Sequence, residues 1–231
     1  MISFKRNHLN NSVLCLLIDY HTFMSYNLTM KLNFEDIQKL DRFYRVNLIS
    51  KISGLRSPFL LGTINEKGQT NLAIFNSIVH LGASPPCLGF IVRPLTVRRD
   101  TYDNIIINRH FTINQIPEGI IKEAHQTSAK YETEISEFEA CGLTESYVDA
   151  FPAPYVKESA FAVGMSYLEE HHITINDTKL IVGQIDHVII PDEYVDEHGN
   201  IDHQALETTV ISGLDHYHTV KENVLLDYAR Q

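Results

Sequence analysis

The 231-residue chain contains no tryptophan and three cysteines, Cys15, Cys87 and Cys141. The cysteines are odd in number, lie far apart and never form a C-x-x-C pair, so the sequence indicates neither a disulfide framework nor a zinc knuckle. We therefore expect a protein of the reducing cytoplasm. No stretch matches a G-x-G-x-x-G loop, a Walker A loop, an H-E-x-x-H pair or a G-x-S-x-G elbow, and four large enzyme classes lose support.

Positive charge is also scarce, since the formal net charge is -10. Nucleic-acid binding requires a basic face that neutralises phosphates, and an anionic membrane surface attracts polybasic segments. The sequence therefore predicts no nucleic-acid partner and no membrane partner. The twelve histidines include the adjacent pair His171 and His172, but no carboxylate or cysteine cluster stands at ligand spacing beside them. We expect no metal site.

Residues 1–29 differ from the rest of the chain. Lys5 and Arg6 precede an apolar run over 13–18 that is shorter than the core of a signal peptide and lacks a small-x-small cleavage site. Met30 stands just before a helix start. We interpret residues 1–29 as an N-terminal extension, either disordered or upstream of the true start. Residues 30–231 then form one domain, because no Gly/Ser-rich linker divides them.

The pattern after residue 30 is mostly β. Asn33 with Glu35 and Asp36 is typical of a helix start, and beyond Gly54 short apolar runs are bounded by turn residues. The sequence predicts a hairpin with strands at 58–64 and 72–79, further strands at 87–92, 110–116, 160–175 and 180–190, and helices at 100–108, 118–126 and 135–141. Without βαβ alternation, this pattern favours a closed or partly closed antiparallel barrel with short inserted helices.

Three segments carry the functional signal: T-N-L-A-I-F-N-S at 70–77, S-P-P at 84–86 and R-D-T-Y-D-N-I at 99–105. In order and spacing they resemble the N-x-A-P-[YF]-S, D-P-P and K-D-T-x-x-N-I segments of the flavin reductase-like family. The similarity continues through 136–144 and 213–217. Two positions depart from the family pattern, because Ile74 replaces the usual proline and Asn76 replaces the usual serine.

This resemblance implies an antiparallel split β-barrel that binds FMN. The family contacts flavin largely through backbone groups of the second hairpin strand, so the replaced proline should be tolerated. Plain core packing is the alternative reading for the side chains of Ile74 and Phe75. The residues implied as cofactor contacts on this strand are Asn71, Leu72, Ala73, Ile74, Phe75, Asn76 and Ser77.

The phosphate of FMN needs positive charge and converging N–H donors, and a helix start beside two arginines supplies both. We expect Arg99 and Thr101 to bind the phosphate, with Arg93 as a further candidate and Asp100 as the helix cap. An ordinary solvated basic loop is the alternative for the arginines.

The resemblance further implies a homodimer and an NAD(P)H:flavin oxidoreductase reaction. Because the cofactor carries the chemistry, no acid–base pair is required, and we name no catalytic residue. Reduced flavin would feed a partner monooxygenase or pass electrons onward while bound. The alternative is an FMN-binding electron carrier without its own NAD(P)H turnover.

A pyridoxamine phosphate oxidase-like enzyme is disfavoured, because its substrate needs a further basic cluster. We expect the polar segment 125–131 to be an ordinary solvated loop, and the alternative is a rim over the flavin or a contact with nicotinamide phosphates.

Overall fold

The computed structural model describes residues 29–226 and 229. The chain separates into two compact units, residues 1–45 and 46–231. Most of the extension predicted for residues 1–29 therefore lies outside the described residues, and its interpretation stays a prediction.

The described part of the first unit starts with helix α1 (Phe34–Lys39). As the sequence predicts, Asn33 caps it: Asn33 Oδ1 accepts a hydrogen bond from the Asp36 N–H at 2.9 Å, and Asp36 Oδ2 accepts one from the Asn33 N–H at 3.1 Å. This reciprocal pair is a capping box, which satisfies two donors that a helix start leaves free. The next helix, α2 (Arg42–Ile52), continues into the second unit.

The second unit is built around a seven-stranded antiparallel sheet. The helices that follow α2 are α3 (Asp100–Asn108), α4 (Ile121–Gln126) and α5 (Glu137–Cys141). The strands are β1 (Phe59–Ile64), β2 (Thr70–Phe75), β3 (Val79–Ala83), β4 (Pro86–Val92), β5 (His110–Gln115), β6 (Glu145–Ser146), β7 (Tyr155–Val156), β8 (Ala162–Ile173), β9 (Thr178–Ile189), β10 (Thr209–Ser212) and β11 (His216–Thr219). The large sheet has the order β2-β1-β5-β8-β9-β4-β3, so β2 and β3 are its edges.

The prediction of a mainly β chain with short helices is confirmed, with two differences. The predicted strand 72–79 ends at Phe75, and Val79 begins β3 at the opposite edge of the sheet. Between them, Ser77 Oγ accepts a hydrogen bond from the Ile91 N–H at 3.1 Å, which fixes the chain beside β4. In addition, the β10–β11 hairpin was not predicted as strands.

Two apolar cores lie on opposite faces of β1 because successive side chains of a strand alternate. Leu61 packs with Phe90, Phe111 and Ile105 of α3 in one core. Leu60 belongs to the other core, which lies under α4 and α5. Each such fully buried side chain contributes about 1.5–3 kcal/mol to stability.

A row of small residues crosses the face of the sheet that also carries Leu60, formed by the paired positions Gly62, Thr112 and Gly164 of β1, β5 and β8. Residues 151–156, which we call the strap, run over this row. A Cβ atom at Gly62 would lie 2.2 Å from the Pro154 carbonyl oxygen. Thr112 Oγ1 donates a hydrogen bond to the same oxygen at 2.6 Å. The absence of side chains at the glycines thus lets the strap lie directly on the sheet.

Candidate functional site

The segment implied as the flavin strand occupies an edge of the sheet. Residues 71–75 lie on β2, and Asn76 and Ser77 follow directly. In an antiparallel ladder the backbone groups alternate between facing the partner strand and facing away. The Leu72 N–H faces away from β1 and donates to Glu137 Oε2 at 2.9 Å. The backbone N–H and C=O of Ile74 face the same way, with no hydrogen-bond partner among the described residues. The edge of β2 is therefore open at Ile74.

Asn71 joins this strand to the start of α3. Its Nδ2 donates to Thr101 Oγ1 at 3.0 Å and to Thr63 Oγ1 at 3.1 Å. Asn104 Nδ2 also donates to Thr63 Oγ1, at 3.1 Å, and the two threonines and Asn104 are buried. Two residues that sequence analysis placed at different parts of the site are thereby in contact. Thr101 Oγ1 accepts in this bond, so its own hydrogen is available to a further acceptor.

The cap predicted for α3 is wrong. The N-cap residue is Arg99, and no side chain caps the helix. Asp100 is the first helical residue, and its Oδ1 lies 3.0 Å from Arg98 Nε. The carboxylate is thus held by the neighbouring guanidinium instead of the backbone. The first N–H groups of α3 remain available to an anion, which the partial positive charge of a helix start favours.

Two consecutive arginines have different environments at this helix start. Arg98 pairs with Asp100, and Arg98 Nε also lies 3.6 Å from Asp103 Oδ2. Arg99 has no ion pair among the described residues, and its Nε is buried without a hydrogen-bond acceptor. Burial, and secondly the charge of Arg93, lower the pKa of Arg99. A buried donor without a partner is costly. An anionic group placed here would satisfy it, so the residues fit a phosphate.

The side chains of the last two segment residues are already engaged. Asn76 Nδ2 donates to the Gly213 carbonyl oxygen at 2.7 Å, and Ser77 Oγ bonds to the backbone of Ile91. Gly213 has φ +68°, and a Cβ atom there would lie 2.7 Å from Lys51 Cε. The turn between β10 and β11 is therefore fixed beside the end of β2 by Asn76, which leaves Asn76 Oδ1 free for another donor.

The N-terminal end of α5, with its cap residue Ser136, covers the start of β2, a role that was not predicted from the sequence. Thr70 Oγ1 lies 2.7 Å from Ser136 Oγ. The Glu137 carboxylate accepts the hydrogen bond from the Leu72 N–H. A polar cavity of 20 Å³ lies here, lined in part by Asn71, Asp100 and Glu137. Burial raises the pKa of Glu137, and the Leu72 N–H opposes this rise. The resemblance over 136–144 was the signal that could have pointed to Glu137.

The polar segment 125–131 makes mostly local contacts. Ser128 Oγ donates to the His125 carbonyl oxygen at 2.7 Å, and Gln126 Nε2 donates to Tyr131 Oη at 3.0 Å. His125 Nδ1 lies 3.0 Å from Tyr217 Oη of β11. The segment is thus tied to the C-terminal hairpin, and the choice between an ordinary loop and a role beside the flavin or the nicotinamide phosphates stays a prediction.

A larger cavity of 370 Å³ lies away from these residues. Ser57, His203, Thr208, Val210 and Glu222 line it with five others, and none of the predicted site residues is among them.

Over the described ranges, no three His, Cys, Asp or Glu side chains converge in a way that could hold a metal ion. Within those same ranges, no helix has the length and apolar character needed to cross a membrane.

Comparison with known proteins identifies the class. The model of the flavin reductase-like domain matches residues 53–209, which is more than half of the chain. The chain therefore belongs to the flavin reductase-like family.

Solved structures agree with this assignment. A protein with a split barrel domain from Shewanella frigidimarina is 42% identical, with a TM-score of 0.84, and the match covers 87% of this chain and 100% of that one. Nitrilotriacetate monooxygenase component B from Bacillus cereus is 18% identical over 87% of this chain and 100% of its own, with a TM-score of 0.75. An FMN-binding protein from Thermus thermophilus is 20% identical over 77% and 93%, with a TM-score of 0.65. The predicted antiparallel split β-barrel is confirmed.

Proposed function

We propose that the protein binds FMN and acts as an NAD(P)H:flavin oxidoreductase. The observation that carries this proposal is Arg99 beside the open N-terminus of α3, where the described part of the chain offers its buried Nε no acceptor. A phosphate would supply that acceptor. The link from Thr101 through Asn71 to β2 connects this anion site to the strand that the family resemblance assigns to the flavin ring.

Each part of the site has its own task in the proposal. Arg99 and Arg93 attract the phosphate, and the Thr101 hydroxyl and the free N–H groups of α3 donate to it. The backbone of β2 holds the ring, with the open edge at Ile74 as the available part of the strand. FMN held by these residues would supply the chemistry of hydride transfer between a nicotinamide and an acceptor. The protein's task is to position the flavin and to tune its reactivity, so no acid–base pair is required.

The destination of the electrons is the next part of the proposal. The similarity in fold to a monooxygenase component supports a partner monooxygenase that receives reduced flavin. We place this exchange in the cytoplasm, because Cys87 and Cys141 are free thiols and such cysteines are typical of a reducing compartment.

A second candidate function is an FMN-binding electron carrier without its own NAD(P)H turnover. The similarity in fold to an FMN-binding protein from Thermus thermophilus supports it. The two candidates differ in one measurement, the oxidation of NADH or NADPH.

We further propose a homodimer. The edge strand β3 is paired on one side only, and Val79 and Leu81 are 39% and 44% exposed on it. An open edge with apolar side chains is suited to association with a second copy. Sedimentation velocity at micromolar concentration checks this, and a monomer at all concentrations would contradict it.

Two titrations test the proposed function. Addition of FMN to the purified protein is expected to shift the flavin absorption spectrum and quench its fluorescence with a Kd in the micromolar range or below. NADH and NADPH are then added to the FMN complex, and loss of the 340 nm absorption reports turnover. Binding without turnover would support the electron carrier. No binding at micromolar FMN would overturn both candidates.

A further inference from the structure

Glu137 places a carboxylate on the outer edge of β2. Its Oε2 accepts from the Leu72 N–H at 2.9 Å, and the open backbone groups of Ile74 lie two residues further along the same edge. A strand rises about 3.3 Å per residue, so the two positions are separated by about 7 Å. The carboxylate therefore borders the part of the strand that is free to contact a ligand.

The charge of this carboxylate is not neutralised by the protein. Among the described residues, no lysine, arginine or histidine forms an ion pair with Glu137. The Leu72 N–H and the backbone N–H of Glu137 itself are its hydrogen-bond donors. Burial raises the pKa of Glu137, these two donors oppose the rise, and the charge of Asp100 adds to it. The ionised carboxyl places a negative charge at the edge of β2, apart from the positive region near Arg99.

The two redox forms of flavin respond differently to such a charge. The reduced ring that results from adding a hydride to neutral oxidised flavin carries one more negative charge than the oxidised ring. A fixed carboxylate repels the reduced form more than the neutral oxidised form. In a partly buried position this repulsion is screened less than it would be in water.

We propose that Glu137 makes the protein bind oxidised FMN more tightly than reduced FMN, which lowers the reduction potential of the bound flavin. This inference rests on the proposed function. It also gives that function a direction: reduced flavin is the form that leaves most readily, as delivery to a partner monooxygenase requires. Glu137 acts on the cofactor through its charge, independently of the phosphate contacts at Arg99.

The test compares two substitutions on the same helix. Glu137→Gln removes the charge but keeps the size and an oxygen that accepts from the Leu72 N–H. Glu139→Gln makes the same change at an exposed position of α5. The potential of bound FMN is measured by equilibration with a reference dye, and the Kd of oxidised FMN by fluorescence titration.

The expected result is a higher potential in Glu137→Gln and a potential equal to wild type in Glu139→Gln. We expect the affinity for reduced FMN relative to oxidised FMN to rise about tenfold, which for a two-electron couple equals about 30 mV. Glu137→Asp keeps the charge and should keep a potential close to wild type. An unchanged or lower potential in Glu137→Gln would overturn the inference.

The outcomes separate this inference from the proposed function. If the wild-type protein does not bind FMN, the proposed function itself fails. If it binds FMN and Glu137→Gln has the wild-type potential, only the role of Glu137 is rejected. Circular dichroism and urea unfolding of the FMN-free variants show that each is folded. If Glu137→Gln does not fold, Glu137→Asp compared with Glu137→Ser provides the same contrast of charge.

Discussion

Asn71 Nδ2 donates a hydrogen bond of 3.0 Å to Thr101 Oγ1, although 30 positions separate the two residues in the sequence. The bond fixes the start of α3 against the edge strand β2. The helix start is the proposed anion site, and the strand is the surface proposed for the ring. The bond therefore links the two proposed parts of the site.

Arg99→Met should weaken FMN binding. The loss of a charge-assisted contact with the phosphate costs about 1.5–3 kcal/mol, which corresponds to roughly 10- to 150-fold in Kd. Arg98→Met is the matched control, because Asp100 already engages the Arg98 guanidinium, and its Kd should change little. Fluorescence titration with FMN measures both. Equal Kd values for Arg99→Met and wild type would place the phosphate elsewhere.

Removal of Arg99 should not destabilise the FMN-free protein. None of the residues that the structure describes offers an acceptor to its buried Nε, so substitution by an apolar side chain relieves a desolvation cost. We expect the urea midpoint of FMN-free Arg99→Met to equal or exceed that of wild type. This opposite effect on stability and binding distinguishes a ligand contact from a structural one.

Ile74→Pro should be tolerated by the fold. The N–H that proline removes faces away from β1, and proline is accepted at such edge positions. At the neighbouring Ala73 the N–H faces β1, where Leu61 is the paired residue. Ala73→Pro should therefore be less stable than Ile74→Pro by on the order of 1–3 kcal/mol, as measured by urea unfolding. Equal destabilisation would contradict the assigned register of β2.

Gly62→Ala should destabilise the protein by about 1–3 kcal/mol or more. The added Cβ atom would meet the Pro154 carbonyl oxygen at 2.2 Å, so the strap must move away from the sheet. Gly119→Ala is the control: no atom lies within 4 Å of its Cβ position, and alanine there should stabilise the protein slightly by restricting the unfolded chain. Thermal unfolding compares the two, and a neutral Gly62→Ala would mean that the strap is loosely placed.

Glu170 should make stability dependent on pH. Burial on its own would raise the pKa of Glu170, but the hydrogen bonds from Lys179 and Tyr102 outweigh it and lower the pKa. A carboxyl whose pKa is lower in the folded state contributes stability above its unfolded pKa of about 4.3, and this contribution is lost as the pH falls through the folded pKa.

Glu170→Gln should therefore be less stable than wild type at neutral pH, and the difference should shrink in acid below the unfolded pKa. Urea unfolding at several pH values measures it. Glu169→Gln is the control, since Glu169 is 63% exposed and exposed pairs contribute little. A difference between Glu170→Gln and wild type that does not change with pH would contradict the assignment.

The sequence allowed prediction of elements that depend on local chemistry. The cap at Asn33, the β1–β2 hairpin with Gly68 at φ +79° in its turn, and the end of α5 at Gly142 with φ +72° follow from residues that favour those conformations. The break between β2 and β3 could not be predicted. The residues from 72 to 79 read as one strand, and the break depends on Ser77 meeting Ile91 of β4.

The site shows the same limit. The order of motifs led to β2 and to the start of α3, but the sequence does not indicate which of the two adjacent arginines pairs with the nearby carboxylates. That depends on Asp100 and Asp103 turning towards Arg98. The placement of the Glu137 carboxylate against the edge of β2 likewise depends on a contact with Leu72, 65 positions away in the sequence.

The open edge of β2 has a further consequence for handling the protein. Unpaired backbone groups at a sheet edge are a template for adding a strand from another molecule. Glu137 blocks this at Leu72, and a carboxylate on an edge resists self-association, but the edge at Ile74 has no such protection. A ligand on this strand would therefore also act as a shield against aggregation. Preparations saturated with FMN should remain clear in solution longer than cofactor-free preparations at the same protein concentration.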